Sequence, residues 1–119
     1  MKILMVFLSS IIFLSSFPLL GLAQPINPNK EQNDAILTVL SPSISTAITG
    51  YYGTPRQFGL YDADILSLTR MEEGRYSFRV KVLVKTFVGA HNPPYGNEII
   101  TLTIDPSGVH VEEFIHHEG

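Results

Sequence analysis

Residues 75–88 set the strongest constraint on how this chain can fold. Tyr76, Phe78, Val80, Val82 and Val84 alternate with Arg75, Ser77, Arg79, Lys81 and Lys85. A period of two gives a strand one apolar and one basic face. At about 3.3 Å per residue the run would span roughly 46 Å if straight. That is long for a domain cut from 119 residues, so a bend or bulge is expected. The apolar face needs a covering layer.

The cover lies upstream. Ile36, Leu37, Leu40, Ile44, Ala47, Ile48 and Tyr51 recur at helical spacing. Pro42 interrupts them. Inside a helix it would lack a hydrogen bond and press on the Thr38 carbonyl. Ser41 at N-cap and Pro42 at the first helical position read better as a fresh start. The stripe keeps its phase, so the expectation is two short helices, or one kinked helix, broken at Pro42. Tyr51 and Tyr52 close the stripe, bracketed by Gly50 and Gly53. They read as core-edge aromatics and as secondary candidates for a ligand surface.

Everything after the loop at residues 54–59 reads as strand. Residues 62–70 form the first, and Met71-Glu72-Glu73-Gly74 the turn into the long run. Residues 99–104 form the third strand. Asp105-Pro106-Ser107-Gly108 fits a type I turn, and residues 109–116 form the fourth. A tight hairpin there pairs Ile104 with Val109 and Leu102 with Val111, and its unbroken register sets His116 opposite Asn97. Short connections imply antiparallel neighbours. The fold class is α+β: an N-terminal helical segment packed on a curled four-stranded antiparallel meander. In outline it resembles the small helix-and-sheet domains of the cystatin and NTF2 kind, in shape alone.

The first two dozen residues bear on location. Met1-Lys2 precedes an apolar run over residues 3–22, and Gly21-Leu22-Ala23 offers small residues for cleavage. This is the pattern of a secretory signal peptide over residues 1–23, with an uncleaved membrane anchor as the alternative. A Pro/Asn-rich flexible leader follows over residues 24–32, then a single domain over residues 33–119. The protein is expected outside the cell or on its surface. With no cysteines, disulfide scaffolds are excluded and stability must come from packing. The formal charge of −3 becomes one unit more negative once Lys2 is removed. That argues against nucleic acid as a partner.

The candidate chemistry is sparse. No nucleophile elbow, phosphate loop or dinucleotide fingerprint is present, and no cofactor is implied. His91, His116 and His117 could approach one another, with Glu98 or Glu118 nearby, and hold zinc or copper. Adjacent strand residues point to opposite faces, however, and frayed terminal residues are the plainer reading. By strict alternation Glu113 would be buried, which is costly. Either a bulge returns Glu112 and Glu113 to solvent and turns Phe114 inward, or the strand has left the core. The basic stripe of Arg75, Arg79, Lys81 and Lys85 reads as a solvated face, with Asp64 a cross-strand partner for Lys81.

The segment Thr86-Phe87-Val88-Gly89-Ala90-His91-Asn92-Pro93-Pro94-Tyr95-Gly96 is the candidate binding loop. Asn92 and Pro93 both precede proline and are driven to extended conformations. Pro94-Tyr95-Gly96 suits a type I turn, and a stiff loop loses little entropy on binding. His91, Asn92, Pro93, Pro94 and Tyr95 are its candidate binding residues.

These segments carry a resemblance. Asp34-Ala35-Ile36, Leu40-Ser41-Pro42, Tyr51-Tyr52-Gly53, Leu60-Tyr61-Asp62-Ala63, the T-F-x-G-A-H-N-P-P-Y-G motif ending at Gly96, and Ile100-Thr101-Leu102 resemble a family of small secreted proteins. That family comes from spore-forming Gram-positive bacteria and is known as a domain of unknown function. The resemblance covers about residues 33–115. It implies location and fold unit but no activity. The leading reading is a secreted, non-catalytic interaction or accessory domain that binds an envelope protein or polymer through residues 89–96. The runner-up is a metal-dependent or general acid/base enzyme using His91 with His116 or Glu98. A cystatin-like inhibitor presenting loops as a wedge is a third.

Overall fold

The computed structural model describes residues 28–119; the expected signal peptide lies outside them. The first element is a single helix, α1 (Pro28–Tyr52). It begins inside the stretch read as a flexible leader. Proline is tolerated in a helix's first turn, where its missing N–H has no partner to lose. The Lys30–Asp34 pair at 2.8 Å supports that turn.

The helix also runs on through Pro42 as one element, against the expected pair of short helices. Magnitudes explain why. An interior proline costs about 3 kcal/mol. Leu37, Leu40, Ile44 and Ile48 are all buried, and full burial of each such side chain is worth roughly 1.5–3 kcal/mol. Breaking the helix would lift part of that stripe off the sheet. Thr38 and Pro42 are both exposed, so water can serve the carbonyl that proline leaves without a donor. The helix ends at Gly53, in left-handed backbone (φ 79°), whose N–H donates to the Thr49 carbonyl at 2.8 Å.

Five strands follow where four were expected: β1 (Gln57–Phe58), β2 (Asp64–Arg70), β3 (Phe78–Val88), β4 (Asn92–Asp105) and β5 (Gly108–Glu118). The short β1 lies within the expected loop at residues 54–59. It pairs with β3 through Phe58↔Thr86, and β2 pairs with the other half of β3. β3, β4 and β5 then follow in order, all antiparallel. β3 begins three residues later than expected, leaving Tyr76 exposed in the preceding turn.

The extra residues at the sheet's register irregularities lie in β2, β4 and β5, and none lies in β3. Leu66 is the extra residue in β2, so Asp64 faces Leu83, and Lys81 faces Ser67 instead of Asp64. Lys85 finds its acidic partner in Asp62 at 3.8 Å. Three residues of β4, Pro93, Pro94 and Tyr95, face Phe87 alone. In β5, Glu112 is the extra residue between Val111 (paired with Leu102) and Glu113 (paired with Thr101). Val80, Val82 and Val84 of β3 and Ile100 and Leu102 of β4 face α1 and complete the core.

Candidate functional site

The apolar face of the sheet turns polar at one end. On β3, Thr86 continues the phase of Val80, Val82 and Val84. On β4, Glu98 continues that of Ile100 and Leu102. Both are buried, Glu98 completely. β5 supplies the third member through its bulge. Before it, Val109 and Val111 line a cleft with Pro42, Ser43 and Thr46 of the helix. After it the parity flips, and Phe114 and His116 turn toward the helix, where Tyr51 stacks on both rings. The same bulge moves His116 from the expected place opposite Asn97 to one opposite Glu98. Glu112 and Glu113 are left exposed and Phe114 packs against the core, the bulged alternative foreseen from the sequence.

A buried carboxylate is tolerated when its oxygens are fully hydrogen-bonded. Three side chains meet that need. Thr86 Oγ1 donates to Glu98 Oε2 at 2.8 Å, and the Tyr52 hydroxyl makes a short hydrogen bond to the same oxygen. His116 Nδ1 lies 2.7 Å from Oε1. Tyr52 comes from the last turn of α1, so the cluster ties the helix to β3, β4 and β5 together. Gly96 sits over it. A Cβ there would approach Tyr52 Oη to 2.6 Å and Thr86 Oγ1 to 2.7 Å and would also strike Glu98 Oε2. Glycine is required by this close approach.

Two groups have shifted titration. The hydrogen bond to Glu98 is the main cause that raises the His116 pKa above its ordinary value, against partial desolvation. Burial raises the Tyr52 phenol, helped by its hydrogen bond to Glu98. The Arg56 guanidinium lies over the Tyr52 ring at 4.1 Å. Its Nη2 donates to the Pro94 carbonyl at 2.6 Å, which joins the cluster to the expected binding segment.

That segment is built differently from the expected loop. The turn occupies residues 89–91, and residues 92–96 belong to β4 in place of a type I turn. The Pro93–Pro94 peptide is cis. His91 has left-handed backbone with φ 61°, which costs a non-glycine residue roughly 1–2 kcal/mol. Three contacts hold it there. The Tyr61 hydroxyl is 2.9 Å from Nε2, the Phe87 ring stacks on the imidazole at 3.9 Å, and the Tyr95 hydroxyl donates to the His91 carbonyl at 2.8 Å. His91, Tyr61 and Tyr95 remain exposed.

The structure therefore separates residues that sequence reasoning had grouped. His91 joins Tyr61, Phe87 and Tyr95, whereas His116 joins Glu98, Tyr52 and Thr86. His117 pairs with Asn97 and points to the opposite face from His116. The expected metal set of His91, His116 and His117 is not assembled. Among the described residues no group of three or more His, Cys, Asp or Glu is placed to hold a metal ion. Thr86, Gly96 and the burial of Glu98 were missed. The available signal was phase: Thr86 and Glu98 fall on the apolar parity of their strands.

Helix, sheet, buried polar row and exposed turn define a small α+β domain with a part-buried Tyr–Glu–His cluster at one end. The chain belongs to the family described as protein of unknown function, DUF3888, whose model matches residues 32–118. The matched span takes in the helix stripe, the turn and the whole cluster. No curated protein and no solved structure matches the chain.

Proposed function

We propose that this is a secreted, non-catalytic interaction or accessory domain of the cell envelope, binding a partner through the turn at residues 89–91 and the start of β4. The observation that carries the reading is the left-handed backbone of His91. Such backbone persists where surrounding contacts over-determine it, and it concentrates at ligand-contacting sites. Here Tyr61, Phe87 and Tyr95 hold it while leaving the side chains of His91 and Tyr95 exposed. A surface preorganised in this way loses little entropy on binding. The apolar leader sequence supports export, and an envelope protein or polymer is the partner class it suggests.

The test is capture from envelope extract with purified wild type and two variants, His91→Gly and Tyr95→Ala. Glycine adopts φ 61° freely, so His91→Gly keeps the backbone and removes only the ring. The expected outcome is loss of the captured partner in both variants. Equal recovery sinks the turn's role.

The pair of Glu98 and His116 at 2.7 Å favours a second reading, a general acid/base enzyme working through His116 Nε2. A catalytic base must come within about 2.6–3.2 Å of the proton it takes, and Glu118 occupies that side of the ring at 3.2 Å. Turnover of an envelope substrate that is lost in His116→Asn and kept in His91→Gly would establish this reading over the first.

A further inference from the structure

A neutral imidazole has one N–H donor and one bare acceptor nitrogen. Both nitrogens of His116 face carboxylate oxygens. Nδ1 lies 2.7 Å from Glu98 Oε1, and Nε2 lies 3.2 Å from Glu118 Oε2. Glu98 takes hydrogen bonds from Tyr52 and Thr86 as well, as an acceptor-only carboxylate does. A neutral ring would set one nitrogen lone pair against an oxygen lone pair. The Tyr52 hydroxyl also lies 3.2 Å from Nδ1, but its proton goes to Glu98 Oε2 in the shorter bond, so the doubly protonated ring is the form that satisfies both carboxylates.

We propose that His116 is an imidazolium clasp, which pins the end of β5 against the start of β4 and releases it when the ring loses its proton. The geometry around the clasp defines what it controls. Glu118 pairs with Gly96 across the strands, and the Gly119 N–H donates to the Tyr95 carbonyl at 3.2 Å. Tyr95 in turn holds the His91 carbonyl. The clasp therefore closes directly behind the turn. Among the described residues, the charged and titratable groups around His116 are Tyr51 and Tyr52 from α1, Arg56 just beyond it, Glu98 from β4 and Glu118 on its own strand; β3 contributes the uncharged Thr86. Two carboxylates flank the ring. The Arg56 guanidinium is turned to the Tyr52 ring and the Pro94 carbonyl.

The direction with pH follows from the raised His116 pKa. The clasp is fully closed below the ordinary histidine value of 6.5 and opens as pH rises through the higher folded-state value. Any control over partner binding rests on the proposed role of the turn. The clasp itself does not, so it is tested in the protein alone.

The measurement is an NMR titration of the histidine ring nitrogens with amide exchange at Gly119, between pH 5 and 9. Wild type is expected to show both His116 nitrogens protonated at pH 6.5. Gly119 exchange, corrected for intrinsic base catalysis, is expected to rise several-fold across the His116 midpoint. Glu118→Gln, a change at an exposed side chain, should lower that midpoint and bring the rise in exchange with it. A neutral His116 ring at pH 6.5, or Gly119 protection unchanged through the transition, overturns the clasp. Envelope capture that is constant across a working clasp's midpoint overturns its link to the turn. Failure of His91→Gly to reduce capture would instead remove the turn reading and leave the clasp standing.

Discussion

Replacing Gly96 with alanine probes the cluster around Glu98 most directly. The new Cβ would stand 2.6 Å from Tyr52 Oη and 2.7 Å from Thr86 Oγ1 and would also meet Glu98 Oε2. Ordinary van der Waals contact begins near about 3.5 Å. None of the three neighbours is a free surface tip: Tyr52 is held beneath Arg56, and Thr86 and Glu98 are buried within the sheet. Overpacking of this kind costs about 1–3 kcal/mol. Breaking even one hydrogen bond to the carboxylate adds roughly 1.5–3 kcal/mol. The combined loss is about 3–5 kcal/mol. For a domain of this size each kcal/mol moves Tm by about 4–8 °C, so Tm should fall by at least about 12 °C. Urea denaturation and thermal melts followed by circular dichroism read this directly. A variant melting within about 3 °C of wild type would refute the close-approach argument. Thr86→Ala sharpens the test because it removes one of the colliding atoms. The double variant should be less destabilised than the sum of the single ones, by about 1 kcal/mol.

Four further outcomes are expected. Tyr52→Phe removes one donor from the Glu98 carboxylate and should cost about 1.5–3 kcal/mol in urea denaturation. Pro42→Ala restores a donor to the Thr38 carbonyl in a continuous helix. The gain, reduced by the looser unfolded chain, should be about 2 kcal/mol, and a destabilised variant would contradict the unbroken helix. Ile44→Ala leaves a cavity at the centre of the helix–sheet contact and should cost about 2–5 kcal/mol. The contribution of His116 to wild-type stability should decline as pH rises through its raised folded-state pKa. His116→Gln should flatten that alkaline slope, and identical slopes in the two proteins would exclude His116 as its source.

Much of the core was legible. The spacing of Leu37, Leu40, Ile44 and Ile48 marks the face that α1 buries, and the alternation of Val80, Val82 and Val84 marks the face it covers. The hairpin at residues 105–108 forms with the expected pairs, Ile104 with Val109 and Leu102 with Val111. Asp105 accepts a hydrogen bond from the Ser107 N–H at 2.7 Å, the local chemistry its type suggests. The start of β4 was less legible, because Asn92-Pro93-Pro94 lacks the donors of an ordinary strand. It becomes strand because Val88 pairs with Asn92 and Thr86 with Gly96 around the intervening bulge, partnerships that local sequence does not carry.

By itself the sequence determined the order of helix and strands, the buried stripe and the tight final hairpin. Each depends on periodicity or turn chemistry within a few neighbouring residues. Only the tertiary structure decided that α1 survives Pro42, that Glu112 bulges out, and that Glu98 is shared by Tyr52, Thr86 and His116. The first is a balance between a local proline cost and burial against a distant sheet. The second sets the parity of every later β5 residue. The third needs side chains separated by up to 64 positions to meet around one carboxylate. That meeting depends on register and packing across three strands and a helix end.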